Sequence, residues 1–197
     1  MKLLLASGSE TRRRMLADAG VPFEFQPSAA DEDGAKAELL NAGASAVEIA
    51  AALAELKALS IAGGPDVLVL GSDQVLEQED GSILSKAASR EDGAAQLRAL
   101  SGRTHRLHSA ASLALGGSIV WTGMETAELR MRELSAGFFD DYLDCEFAAV
   151  RYNVGIYRIE GPGVQLFDDI KGSHFAILGM PLLPLLAELR RRGLVTS

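Results

Sequence analysis

Residues 3–16, LLLASGSETRRRML, set the frame of the chain. Leu3, Leu4 and Leu5 form a short continuous apolar run of the kind found in a strand buried on both faces. Periodicity alone does not separate such a run from a buried helical turn, but the small residues Ser7, Gly8 and Ser9 that follow favour the strand. Ser9 is a plausible N-cap for a helix with Glu10 in its first turn. A helix placed there points its unpaired amides and the positive end of its dipole back at the turn, an anion site to which Arg12 adds a cation. The same residues equally describe an α/β corner with no ligand, in which Arg12, Arg13 and Arg14 are a solvated face whose stems cover apolar neighbours. No G-x-x-x-x-G-K-[ST] or G-x-G-x-x-G string occurs, so a nucleotide site here would be of another type.

The 197 residues are 48% hydrophobic and 23% charged, a balance that describes a soluble globular chain able to bury a core as one domain over 1–197. A net charge of -8 argues against a general nucleic-acid binder, which needs a basic field over one face, while leaving room for a small phosphorylated substrate served by a few local cations. The single Cys145, within FFDDYLDCEF, reads as a buried thiol with no disulfide partner, which fits a reducing compartment. No apolar run approaches about 18 residues, and three leucines are too few for a signal sequence, so the expectation is a cytoplasmic protein with no membrane partner.

Along the chain, Gly20 ends the first helix and Val21 to Phe25 reads as an edge strand. Ser28 to Asp33 follows as an acidic loop, either a solvated turn or a metal- and water-handling site. Ser45 with Glu48 makes a capping box for an Ala-rich helix that carries Lys57 and stops at Gly63, Gly64 and Pro65. Val67 to Leu70 is a buried strand that delivers Ser72, Asp73 and Gln74 beyond its carboxyl end, where α/β sheets bind ligands. A cap is the plainer role for that aspartate. Val75 to Gln78 and Ser82 to Leu84 flank Asp80-Gly81 as a hairpin whose second arm leads to Lys86. Ser89 opens a further helix, Arg103 to Leu115 and Ser118 to Met131 form a long hairpin, Ser135 caps a helix to about Glu146, and Pro181 starts a terminal one. Asn153 to Asp169, rich in glycine around Glu160, reads as strands and loop.

Five strings carry more together than apart: LASGSETRR at 5–13, SAADE at 28–32, GSDQV at 71–75, SKAASREDGAAQLRALSGRTH at 85–105, and IEGPG with ILGMPL near the end. In that order they resemble the Maf family of nucleoside triphosphate pyrophosphatases across essentially the whole chain. The resemblance implies an α/β fold with a mixed twisted sheet and flanking helices, two lobes around a central cleft, and frequent homodimerisation. It also implies hydrolysis of a nucleoside triphosphate to the monophosphate and pyrophosphate with a divalent metal cation, Mg²⁺ or Mn²⁺. Carried onto this chain, the family's catalytic aspartate falls on Asp73, its serine on Ser7, its arginine on Arg12, its loop glutamate on Glu32 and its lysines on Lys57 and Lys86. Asp73 with Glu32 would hold the metal. These types suit a reaction that builds negative charge on a pyrophosphate leaving group. The chain departs from the pattern at Glu10 and Ala87, where the family usually has proline, and at YNVG, where it has a lysine-containing glycine motif.

Three positions bear on the base. The family branch acting on dTTP and UTP typically shows arginine, threonine and glutamine where this chain has Thr11, Gln74 and Glu160. The branch acting on 7-methyl-GTP has an aromatic residue, glutamine and glutamate. Two of three positions agree with the second branch, while Thr11 offers no ring to stack on a methylated base. A nucleotide-binding regulatory module linked to cell division, with little turnover, is the alternative from a different class.

Overall fold

Strand β1 (Lys2–Ala6) ends at Ser7, and helix α1 (Glu10–Asp18) starts at Ser9, whose hydroxyl accepts the Arg12 N–H. The strand–turn–helix corner is therefore present in the computed structural model, which describes residues 1–196, with Ala136 described by its backbone alone. Gly20, with φ +69, ends α1 and turns the chain so that the Val21 N–H bonds the Leu16 carbonyl. Val21 is thereby fixed in the core, and strand β2 is only Glu24–Gln26, shorter than the Val21 to Phe25 expected.

The acidic stretch after β2 is a helix start and not a free loop. Asp31 caps helix α2 (Glu32–Asn41) by accepting the Gly34 N–H. No residue of α2 is buried, so it has no apolar stripe by which its sequence would show a helix. Helix α3 (Ala46–Leu59) has the expected Ser45/Glu48 capping box, and buries Ile49, Ala50, Leu53, Ala54, Lys57 and Ala58 along one face. Strand β3 (Val67–Glu77) then runs without a break through Gly71, Ser72, Asp73 and Gln74. Asp73 thus lies within a strand and does not follow one. β4 (Ile83–Leu84) returns antiparallel, with Leu76 opposite Leu84, across a turn in which Gly81 takes φ +84.

Helix α4 (Arg90–Leu100), strands β5 (Thr104–Leu115) and β6 (Ser118–Met131), and helix α5 (Ala136–Val150) follow. Gly116 and Gly117 both have positive φ in the β5–β6 connection, the backbone that a two-residue type I′ hairpin requires. Cys145 is exposed on α5, contrary to expectation. The buried face of that helix carries Phe139, Tyr142, Leu143, Glu146 and Val150, and Cys145 falls on the other side. The glycine-rich stretch forms turns and a short 3₁₀ helix (Pro162–Leu166) before β7 (Phe167–Lys171), with α6 (His174–Ile177) and α7 (Leu182–Arg191) completing the chain.

The seven strands make one mixed sheet in the order β2-β1-β3-β5-β6-β7, with β4 on β3. β1 is parallel to both β2 and β3, and β7 is antiparallel to β6. The chain divides into two compact units. The first comprises residues 1–74, 108–125 and the segment from 173 onward, and the second 75–107 and 126–172. In the first unit, successive strand residues alternate between two cores. Leu3, Leu5, Leu68 and Leu70 pack with Met15 and Leu16 of α1 and Leu185 and Leu189 of α7, while Ala6 and Val69 pack with Ala58 of α3. Among the described residues no helix is long and apolar enough to cross a membrane.

Candidate active site

The alternation along β3 decides where its polar residues go. Leu68 and Leu70 face α1 and α7, so Ser72 and Gln74 continue that side, whereas Val69, Gly71 and Asp73 face α3. Gly71 is the contact that lets α3 come close: a Cβ there would lie 2.1 Å from the Ala54 carbonyl and 3.0 Å from the Lys57 Cβ. Lys57, on the buried stripe of α3, is consequently delivered against the strand. Its Nζ donates to Asp73 Oδ1 at 2.6 Å, lies 3.4 Å from the Ser72 carbonyl, and pairs with Glu32 Oε2 at 2.9 Å. An ammonium with 7% of its side chain exposed would be costly alone, and two carboxylates and a carbonyl offset that cost. Glu32 reaches this ammonium from the first turn of α2.

Arg12 approaches from α1. Its Nε donates to the Gly179 carbonyl at 2.8 Å, a carbonyl that also lies 3.0 Å from Ser72 Oγ. Burial holds the guanidinium below its ordinary pKa, and attraction to Asp73 and Glu32 acts the other way. Ser7, buried at the end of β1, accepts the Ser9 N–H with its Oγ and so shapes the turn before α1. Thr11 is half-buried on α1. The Gln74 amide nitrogen is committed to protein: its two N–H groups are shared among the Ala176 carbonyl at 2.8 Å, the Ile177 carbonyl at 3.0 Å and Ser109 Oγ at 3.1 Å.

Of the residues expected to share a site, Ser7, Thr11, Arg12, Glu32, Lys57, Asp73 and Gln74 belong to the first unit, with Glu32, Lys57 and Asp73 in direct contact. Lys86 and Glu160 belong to the second. Lys86 is exposed two residues beyond β4, and Glu160 is exposed ahead of the 3₁₀ helix, near enough to Arg158 to raise the pKa of that guanidinium as a secondary influence after Glu146. The sequence does not single out Gly71, Ser109 or Gly179. A glycine between a buried apolar run and an aspartate does signal a close backbone approach, and would have pointed to Gly71.

Among the described residues no group of three or more His, Cys, Asp and Glu side chains is placed to hold a metal ion. Asp73 and Glu32 flank the Lys57 ammonium, so two carboxylates face one point that favours positive charge. Magnesium is commonly held by one or two carboxylates together with substrate phosphates and water. The donor set fits a hard divalent ion that arrives with a polyphosphate, and not one caged by protein alone.

The family model described as Maf-like protein matches residues 2–192. The chain belongs to the Maf family. A nucleoside triphosphate pyrophosphatase of Granulibacter bethesdensis is 49% identical over the full length of both chains. One of Sphingopyxis alaskensis is 46% identical over 98% of each. A 7-methyl-GTP pyrophosphatase of Mesorhizobium japonicum is 44% identical, again over 98% of each. In this Maf-family chain the strings GSDQV and ILGMPL are joined physically, through Ser72 Oγ and the Gly179 carbonyl.

Proposed function

We propose that this Maf-family protein, acting as a single domain over 1–197, hydrolyses a nucleoside triphosphate between the α and β phosphorus atoms, releasing the monophosphate and pyrophosphate. The observation that carries the mechanism is the 2.6 Å bond between Lys57 Nζ and Asp73 Oδ1. It orients the carboxylate and leaves Oδ2 for a water molecule, which Asp73 deprotonates as it attacks the α-phosphorus. The α–β bridging bond breaks and pyrophosphate leaves with the electron pair. Arg12 and Lys57 counter the charge that develops on the leaving group. Asp73 and Glu32 would hold a Mg²⁺ or Mn²⁺ ion, which when bound supplies Lewis-acid stabilisation of the phosphate oxygens.

The finer substrate reading is a guanine nucleotide, 7-methyl-GTP above all, in preference to dTTP and UTP. Gln74 and Glu160 support it, and the relative named 7-methyl-GTP pyrophosphatase agrees. A cytoplasmic homodimer is part of the same proposal, and light scattering of the purified protein tests the dimer. The experiment for the activity is pyrophosphate release with Mg²⁺ or Mn²⁺ over a panel of nucleoside triphosphates. Turnover of at least one nucleotide, dependent on the added metal, is expected. Tight nucleotide binding with no pyrophosphate released would instead establish the regulatory-module alternative.

A further inference from the structure

Arg12 is attracted to both Asp73 and Glu32, yet among the described residues it forms no ion pair with either. Its Nε is given to the Gly179 carbonyl. An arginine that spends Nε on a carbonyl keeps both terminal nitrogens, with four N–H groups, for a planar oxyanion. The carbonyl is itself held. Ser72 Oγ, from β3, lies 3.0 Å from it and 2.8 Å from the Ala110 carbonyl of β5, so its one proton is shared between the two carbonyls. Three residues earlier the Ala176 carbonyl takes Ser109 Oγ at 2.6 Å and Gln74 Nε2 at 2.8 Å, so the segment entering Gly179 is fixed from two strands. Gly179 adopts φ +101, and a Cβ there would come 3.2 Å from Arg12 Nη2. Any side chain would strain the backbone and crowd the guanidinium together.

We propose that Gly179 is a positioning residue: its carbonyl, anchored through Ser72, holds Arg12 off the carboxylates of Asp73 and Glu32 and presents the terminal guanidinium nitrogens to the phosphate chain of the substrate. The identity of that chain rests on the pyrophosphatase reading above, whereas the anchoring does not. The test is a double-mutant cycle of Gly179→Ala with Arg12→Ala, read by calorimetric binding of inorganic tripolyphosphate and by kcat and KM on the preferred nucleotide. Gly179→Ala alone should weaken tripolyphosphate binding and raise KM by about 10-fold, and should add less than about 2-fold once Arg12 is gone. Ser72→Ala, which keeps the glycine and removes the hydroxyl, should cost about 3-fold in the wild-type background and nothing beside Arg12→Ala. Equal losses in both backgrounds, or tripolyphosphate affinity that neither variant changes, would overturn the proposal even if the protein turns nucleotides over. The coupled pattern in tripolyphosphate binding with no nucleotide cleaved would keep the positioning role and remove the pyrophosphatase reading.

Discussion

Two clusters, one in each unit, hold ionisable groups in opposite ways. In the first, Lys57, Asp73 and Glu32 are charged partners around one ammonium, and Arg12 stands beside them tied to a carbonyl. In the second, His105 and Tyr157 are equally buried, but the hydrogen bond between His105 Nε2 and the Tyr157 hydroxyl, at 2.7 Å, joins two neutral groups packed on Phe167. Burial pushes His105 down to about 4 and Tyr157 far up. Neutral polar groups can be buried on one shared hydrogen bond, whereas a buried ion needs charged partners.

The strongest way to break the charged cluster is Asp73→Asn, which keeps size and hydrogen bonding while removing the base. Turnover of the best nucleotide should fall by about 10²- to 10⁴-fold with nucleotide binding retained, measured by pyrophosphate release and calorimetry. Turnover near wild type would make Asp73 a structural partner of Lys57 only. Lys57→Met comes next. It leaves two adjacent carboxylates without their ammonium, and stability should drop by about 3 kcal/mol in urea denaturation. Adding Asp73→Asn to Lys57→Met should restore part of that loss, because the uncompensated charge is then gone. A double variant as unstable as the sum of the two would show that the pair is not coupled.

The residues of this comparison differ in how far the sequence displays them. Lys57 is visible as an ionisable residue at a position where α3 otherwise buries Ile49, Ala50, Leu53, Ala54 and Ala58, an anomaly that periodicity exposes. Caps made α1, α3, α4 and α5 legible, since Ser9, Ser45, Ser89 and Ser135 each accept an amide of the first turn. Helix α2 was not, because with no buried face its capping aspartate looks like one more acidic loop residue. β3 read as two strands because Gly71 and the polar triplet after it imitate a turn; packing against α3, and the anchoring of Ser72 and Gln74 to backbone carbonyls, support a strand that is continuous there. Gly179 was silent for a deeper reason. Its contribution is a carbonyl, which every residue has, placed by contacts more than a hundred residues away in sequence.

The neutral cluster is tested by pH. His105 binds its proton at about 4 in the folded protein and near 6.5 when unfolded, so between those values the unfolded state holds more protons and stability falls as pH falls. The loss attributable to this histidine should reach about 2 kcal/mol by pH 5. His105→Gln, which can still meet the Tyr157 hydroxyl, should lose less between pH 7.5 and 5, so that the stability gap to wild type narrows on acidification. Parallel pH profiles in urea denaturation would show that His105 is protonated without consequence.

The smallest expected effect concerns the base. Glu160 is exposed in the second unit, on the stretch that leads to Gly161 and the 3₁₀ helix, where Arg158 is engaged by both oxygens of Glu146, at 2.7 and 3.2 Å. A carboxylate there offers two acceptor oxygens, and guanine presents adjacent N1–H and N2–H₂ donors that can meet both in a charge-assisted pair. Thymine and uracil place their single N3–H between two carbonyls, so the same carboxylate would face acceptors and be repelled. Methylation at N7 adds positive charge to the guanine ring and strengthens the attraction. Glutamine supplies one donor and one acceptor and suits a pyrimidine better. Glu160→Gln should therefore shift the ratio of kcat/KM for 7-methyl-GTP over dTTP by about 10-fold toward dTTP, an effect of about 1.4 kcal/mol, with Asp73-dependent chemistry unchanged. A wild-type protein that already prefers dTTP, or a variant with the same substrate ratio, would remove Glu160 from base recognition and leave the role of Asp73 untouched.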